Sequence, residues 1–202
     1  DVGVRLVVEP GAAAEQGDQV TVDFVGKTAD GVAFVEEGGD TIAGTLTTHH
    51  LLLNRNHLLV GGVRPHYYCL PIVKRERHRL ALRRAAISGS PRFFLGTDSA
   101  PHHRHAKESD CGCAGIFNAP HALESYLAVF EAEGALDRFE AFASEHGARF
   151  YGLPLNEGTV TLKRIGVDVP AEVDGGRAGP ERLDHGLVQA TCVRLVRVGA
   201  HE

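Results

Sequence analysis

The stretch Phe93-Phe94-Leu95-Gly96-Thr97-Asp98-Ser99-Ala100-Pro101-His102 limits the fold more than any other part of this chain. An apolar run reaches Gly96 and stops, and a carboxylate, a proline and an imidazole follow. A short apolar run without polar alternation must be covered on both faces, the condition of a parallel strand in an α/β protein. Where such strands close into a barrel, the working groups sit at their carboxyl ends. Asp98 is therefore the candidate site acid. A lone acid after a strand fits a helix N-cap or a loop acid as well.

The surrounding pattern extends this grammar. Val4 to Glu9 and Thr41 to Thr47 are β-branched runs that predict buried strands. Val35 to Asp40 could end a helix at Gly38. Pro71 to Ser88 predicts a helix whose basic face (Lys74, Arg75, Arg77, Arg79, Arg83, Arg84) is simply solvated. Leu123, Tyr126, Leu127 and Phe130 share one face of a helix over Ala122 to Glu131. A second helix is expected over Leu136 to His146, stopped by Gly147. Thr159 to Leu162 predicts a short strand, and Leu187 to Val198 an imperfect alternation. Strand, helix, strand, helix, strand is the order of an α/β fold of the (β/α) barrel type, here only partial.

Composition narrows the partners. The formal charge of -5 over 202 residues argues against a nucleic-acid or anionic-membrane partner. No apolar run approaches the roughly 20 residues that span a bilayer. Cys69, Cys111, Cys113 and Cys192 match neither a zinc ribbon nor a C-x-x-C motif, which predicts reduced thiols in the cytoplasm. The chain begins at Asp1 and contains 0 Met, so a trimmed chain or a piece of a longer one is expected.

Two resemblances stand out. Gly17 to Lys27, followed by Asp30-Gly31 and Phe34, resembles the opening strands of the FKBP-type prolyl isomerases, the trigger-factor version above all. It would imply an isomerase or chaperone module. A single hairpin is marginal in water, however, and cannot carry that activity. The second resemblance is longer. Leu51 to His57, Val60 to His66, Tyr68 to Pro71, Leu95 to His102, Lys107 to Ser109, Cys111 to Gly115, Asn118 to Pro120 and Phe150 to Pro154 occur in order. Together they resemble the C-terminal part of the bacterial dihydroorotases of the amidohydrolase superfamily, from about Ala33 to Leu162.

That resemblance implies a zinc-dependent cyclic amidohydrolase. It would interconvert N-carbamoyl-L-aspartate and L-dihydroorotate in pyrimidine synthesis, with two zinc ions and a bridging hydroxide. It makes Asp98 a zinc ligand and proton shuttle and His102 a partner of the substrate carboxylate. Leu70 and Ala114 become positions whose backbone groups bind the ring. A homodimer and a small-molecule substrate are implied too. Other groups have plainer readings. His103 and His105 form a solvated cluster, and His49, His50, His57 and His66 pack or hydrogen-bond. Cys69 is a small buried residue, and Cys111 and Cys113 shape the loop beside Ala114.

The departures from the family matter as much. Its His-x-His strand, carboxylated lysine and fifth-strand histidine have no counterpart here. Val4 to Glu9 resembles its sixth strand, but Pro10 stands where that strand's zinc histidine would. Thr47-Thr48 replaces its Thr-Pro, and its closing strands are not recognisable after Leu162. The expected organisation is residues 1–32 as a strand with the prolyl-isomerase-like insertion, 33–162 as an incomplete barrel portion, and 163–202 as a divergent tail. The chain is expected to be inactive alone. A chimeric product without enzymatic activity is the remaining alternative.

Overall fold

The computed structural model describes residues 2–4, 42–163, 173–174, 180–181 and 194–196. In chain order the elements are β1 (Val2–Val4), β2 (Gly44–Leu46), α1 (Thr48–Leu52), α2 (Arg55–Leu59), α3 (Glu76–Ala86), β3 (Phe93–Leu95), α4 (Arg104–Lys107), α5 (Ala122–Ala132), α6 (His146–Phe150), β4 (Val160–Lys163), β5 (Val173–Asp174), β6 (Pro180–Glu181) and β7 (Arg194–Val196). Single helical turns at Leu136–Arg138 and Ala141–Glu145 lead into α6.

The strands β2 and β3 pair in parallel, with Gly44 opposite Phe93 and Leu46 opposite Leu95. Parallel neighbours need a crossover, and α3 lies within it. The pair is buried beneath α1, α3, α5 and the helical stretch after Leu136, through a cluster that includes Leu46, Leu51, Leu82, Phe93, Tyr126 and Phe142. The helical face expected for α5 is the one buried, with Tyr126 and Phe130 fully inside. Tyr126, Phe142, Phe130 and Phe139 stack in sequence, with centroids 5.0 to 5.6 Å apart. Aromatic pairs at this spacing add to simple burial. A second cluster gathers Leu53, Leu58, Cys69, Val73 and Ile116 under the loops.

Two backbone details fix where β2 and β3 end. A Cβ on Gly96 would stand 2.4 Å from Cβ of Thr45, so only glycine lets the two strands approach there. The Tyr126 hydroxyl donates to Leu46 O at 2.6 Å and reaches Gly96 O at 3.2 Å, one carbonyl from each strand end.

Several expectations change. The strand foreseen over Val4 to Glu9 lies outside the described residues except at Val4, the end of β1, and β1 pairs antiparallel with β4. With β7 these strands form a separate three-stranded antiparallel sheet. The helix expected from Pro71 begins at Glu76. Val73 is committed to the second cluster, and Lys74 O accepts from Arg55 N at 2.7 Å, so Ile72 to Lys74 cannot turn into a helix. The basic face of α3 is not merely solvated: Arg79 Nη1 donates to Leu51 O at 3.2 Å and Arg83 pairs with Glu133 at 3.0 Å. Gly147 does not stop a helix, because α6 runs through it to Phe150. Its Cβ would meet the Phe94 ring at 3.1 Å, so it is a close-approach glycine, and the positive φ of +67° falls later, at Gly152. The stretch that resembles a prolyl isomerase, the helix expected near Gly38 and Cys192 lie outside the described residues.

Tyr126→Phe is expected to lower unfolding stability by about 1–3 kcal/mol, because Leu46 O and Gly96 O lose a donor in a dry place. Urea titration should show a lower midpoint with an unchanged slope. A wild-type midpoint would mean that the hydroxyl does not hold the strand ends.

Candidate functional site

The site begins where β3 runs out. After Leu95 the chain passes Gly96 and Thr97 and turns at Asp98, which has a φ of +43°. It is the one non-glycine residue with positive φ among the described residues. Asp tolerates this left-handed region better than most side chains, because a short polar group can bond locally. The turn leaves Asp98 exposed at the carboxyl end of a parallel strand.

A second segment then pairs with the first. Ser99 bridges to Ile116 in parallel, and Ala100 N donates to Ile116 O at 3.1 Å. The Ser99 hydroxyl accepts from Asn118 N at 3.1 Å and Ala119 N at 3.0 Å, which caps the turn that opens α5. Asn118 Nδ2 donates to Thr97 O at 2.9 Å and lies 3.1 Å from His49 Nδ1. The Thr97 carbonyl must face a donor, so the amide nitrogen occupies that side of Asn118. His49 Nδ1 therefore accepts, and its proton sits on Nε2. That Nε2 is buried without a hydrogen-bond partner among the described residues.

Residues 102–116 form a stitched loop. His102 Nε2 lies 2.9 Å from Ala114 O. Gly115 N donates to Tyr68 O at 3.0 Å, joining the segment that carries Leu70. Lys107 is buried, and its ammonium donates to Tyr68 O, Cys113 O and Gly115 O. Burial pushes its pKa below the usual lysine range. His102 and Ala114 are thus in direct contact. Leu70, which is 63% exposed, lies two residues beyond Tyr68. Asp98 stands on the strand end that leads into the same loop.

A group of three ligand-type side chains is buried nearby: His49, His50 and Cys69, with atoms within 4.8 Å of one another. Two of the three are hydrogen-bonded within the core, and His49 bonds Asn118 through Nδ1 while its Nε2 stays unpartnered among the described residues. His50 Nδ1 lies 2.7 Å from the Thr47 hydroxyl and Nε2 2.8 Å from Pro71 O. The Cys69 thiol donates to Pro71 O at 3.4 Å, and burial pushes it up to about 11, so it stays protonated. Asp98 belongs to no such trio among the described residues. Zinc takes about four donors. The described residues therefore do not build a zinc site around Asp98.

Asn118, Ser99 and Lys107 carry much of this geometry and were not singled out from the sequence. Their bonds to backbone atoms span 6 to 39 residues, and such bonds leave no periodic trace. The expectation that His49 and His50 are packing or hydrogen-bonding groups agrees with their burial and partners.

No family model matches the chain. It is 58% identical over 172 residues to the dihydroorotase of Sphingopyxis alaskensis, covering 85% of this chain and 50% of the relative. The dihydroorotase of Synechococcus sp. (strain RCC307) is 64% identical over 161 residues, 79% of this chain and 46% of that one. Among solved structures, dihydroorotase from Saccharomyces cerevisiae in complex with 5-fluoroorotic acid aligns with a TM-score of 0.70 at 26% identity. That alignment covers 84% of this chain and 50% of the yeast one. Dihydroorotase from Campylobacter jejuni gives a TM-score of 0.66 at 27% identity, over 77% and 45% of the two chains. The chain thus spans about half the length of the curated relatives it matches. The α/β architecture is that of part of a TIM-barrel amidohydrolase. These relatives lend no support to the prolyl-isomerase-like reading of residues 17–34.

His49 links this site to pH. Burial, and then the neighbouring His50, lower its pKa from 6.5 to about 3. It is neutral in the fold and takes up a proton on unfolding below its ordinary pKa. Its contribution is complete above pH 6.5 and is lost as pH falls towards 3. The slope is about 1.4 kcal/mol per pH unit for one proton. His49→Gln should flatten the urea midpoint against pH between about 6 and 4. A variant with the wild-type slope would assign the loss to other groups.

Proposed function

We propose that this chain belongs to the dihydroorotase family and forms the part of the barrel that carries Asp98 and the loop facing the substrate. The observation that carries the reading is the placement of a carboxylate at the carboxyl end of parallel strand β3. It leads directly into a loop where His102 and Ala114 touch. The identity of 58% to 64% with dihydroorotases over most of the chain supports it.

In this reading the substrate is the L-dihydroorotate and N-carbamoyl-L-aspartate pair. Opening the ring adds water across an amide C–N bond. Asp98 accepts the proton of the attacking water and returns it to the leaving nitrogen, as a general base and then a general acid. Its exposure at a strand end leaves it open to that water. His102 bonds the substrate carboxylate, and the backbone at Leu70 and Ala114 pairs with the donors and acceptors of the ring. Asp98 also offers one donor to zinc. The remaining donors are not among the described residues, so no zinc-dependent step is assigned to them. By the same resemblance, residues 33–162 are the barrel portion, with 1–32 and 163–202 outside it, and two copies pair in the cytoplasm. No helix among the described residues is long and apolar enough to cross a membrane.

With zinc and dihydroorotate added, the 202-residue chain alone is expected to give no turnover. Coexpression with the amino-terminal half of the Sphingopyxis alaskensis enzyme should restore it. Asp98→Asn in that pair should slow the reaction by about 10³-fold, the scale of a lost acid–base group. Zinc-dependent turnover by the chain alone, or full activity of the asparagine variant, would contradict this assignment.

A further inference from the structure

The mechanism proposed above gives no role to Lys107, although it is 4% exposed and faces the loop that holds Ala114. An ammonium has three protons and accepts nothing. Here the three acceptors are Tyr68 O at 2.8 Å, Cys113 O at 2.6 Å and Gly115 O at 2.8 Å. They belong to two chain segments that otherwise meet through Gly115 N and Tyr68 O. Burying a lysine is expensive unless its charge is fully hydrogen-bonded. A purely apolar side chain would fill the same place without that cost, but could not align three carbonyls.

The alignment has a directional consequence. In a trans peptide, C=O and N–H point in opposite directions. With Cys113 O drawn to the ammonium, Ala114 N–H is turned away from it. The next peptide is fixed from both ends, because Ala114 O lies 2.9 Å from His102 Nε2 and Gly115 N donates to Tyr68 O. There is no slack to absorb an error. A Cβ on Gly115 would stand 2.7 Å from Ala100 Cβ and 2.8 Å from His102 Nε2.

We propose that Lys107 is a positioning residue: its ammonium clamps the Cys113–Ala114 peptide so that Ala114 N–H is presented to a planar cyclic amide acid. The proposal rests on the dihydroorotase reading for the class of ligand. The clamp itself rests on the three carbonyl bonds alone.

The test uses the whole chain with orotate as the probe. In the wild type, NMR should detect the Lys107 ammonium protons exchanging about tenfold or more slowly than those of Lys74, as full hydrogen bonding requires. Orotate should shift the Ala114 amide. Lys107→Met should weaken orotate binding about tenfold, and Lys107→Arg should recover part of that loss. Core amides at Tyr126 and Phe142 should stay protected from exchange in both variants. A folded Lys107→Met chain that binds orotate as the wild type does would reduce Lys107 to a structural role and overturn the proposal. Should the methionine variant fail to fold, fast ammonium exchange in the wild type overturns the clamp by itself. A wild type that binds no orotate, even when coexpressed with the amino-terminal half of the Sphingopyxis alaskensis enzyme, overturns the ligand class, and with it the dihydroorotase reading. Slow ammonium exchange in the same sample would keep the clamp and so separate the two failures.

Discussion

The parallel pairing of β2 with β3 is the constraint on which the rest depends. Each strand has only three residues, so the ladder by itself is a weak element. It persists because Leu46, Phe93 and Phe94 are buried, with Thr45 alone left exposed on β2, and because Gly96 lets the backbones close against Thr45. Tyr126 then reaches across from α5 and engages one carbonyl from each strand end. A buried phenol must find partners, and here those partners are the atoms that define where the strands stop. The position of Asp98 follows from that stop.

Beyond the strand ends, backbone atoms do most of the work. Lys107 takes up three main-chain groups, Ser99 two, and Asn118 one together with His49 Nδ1. They join the turn after β3 to the loop over 111–118 and to the segment before Pro71. Loops of this kind expose many peptide groups, and a buried unpaired one is costly. Side chains that satisfy several at once therefore rigidify a loop more effectively than apolar contacts can. His49 is the point where that satisfaction is incomplete, because its proton-bearing Nε2 has no partner among the described residues. Acid adds its proton at Nδ1, the acceptor of the Asn118 amide, against the cost of burial.

The similarity to dihydroorotases and the chemistry of the described residues bear on different parts of the problem. High identity over about half of each relative places the fold in the TIM-barrel amidohydrolases. The donor set then limits what this portion does. One exposed carboxylate cannot assemble a metal centre, and the buried His49, His50 and Cys69 are committed to Asn118, Pro71 and Thr47. Basic and positioning functions are what the described side chains can offer.

The strand at Phe93, the face of α5 and Asp98 as an acid after a strand were legible in the sequence, because burial and periodicity leave local marks in residue order. Leu70, His102 and Ala114 entered only through a resemblance carried by an ordered run of motifs, and the structure brings His102 against Ala114. The start of α3 at Glu76, the passage of α6 through Gly147 and the antiparallel partner of β1 were not legible. Each turns on a neighbour distant in sequence: Arg55 and the second cluster for α3, the Phe94 ring for Gly147, and β4 for β1. The sequence by itself determined which segments must be buried and where an acid follows a strand, since hydrophobic pattern and turn chemistry are local. Tertiary structure alone decided which carbonyls Lys107 and Tyr126 engage. Those partners are selected by packing distance, which residue order does not encode.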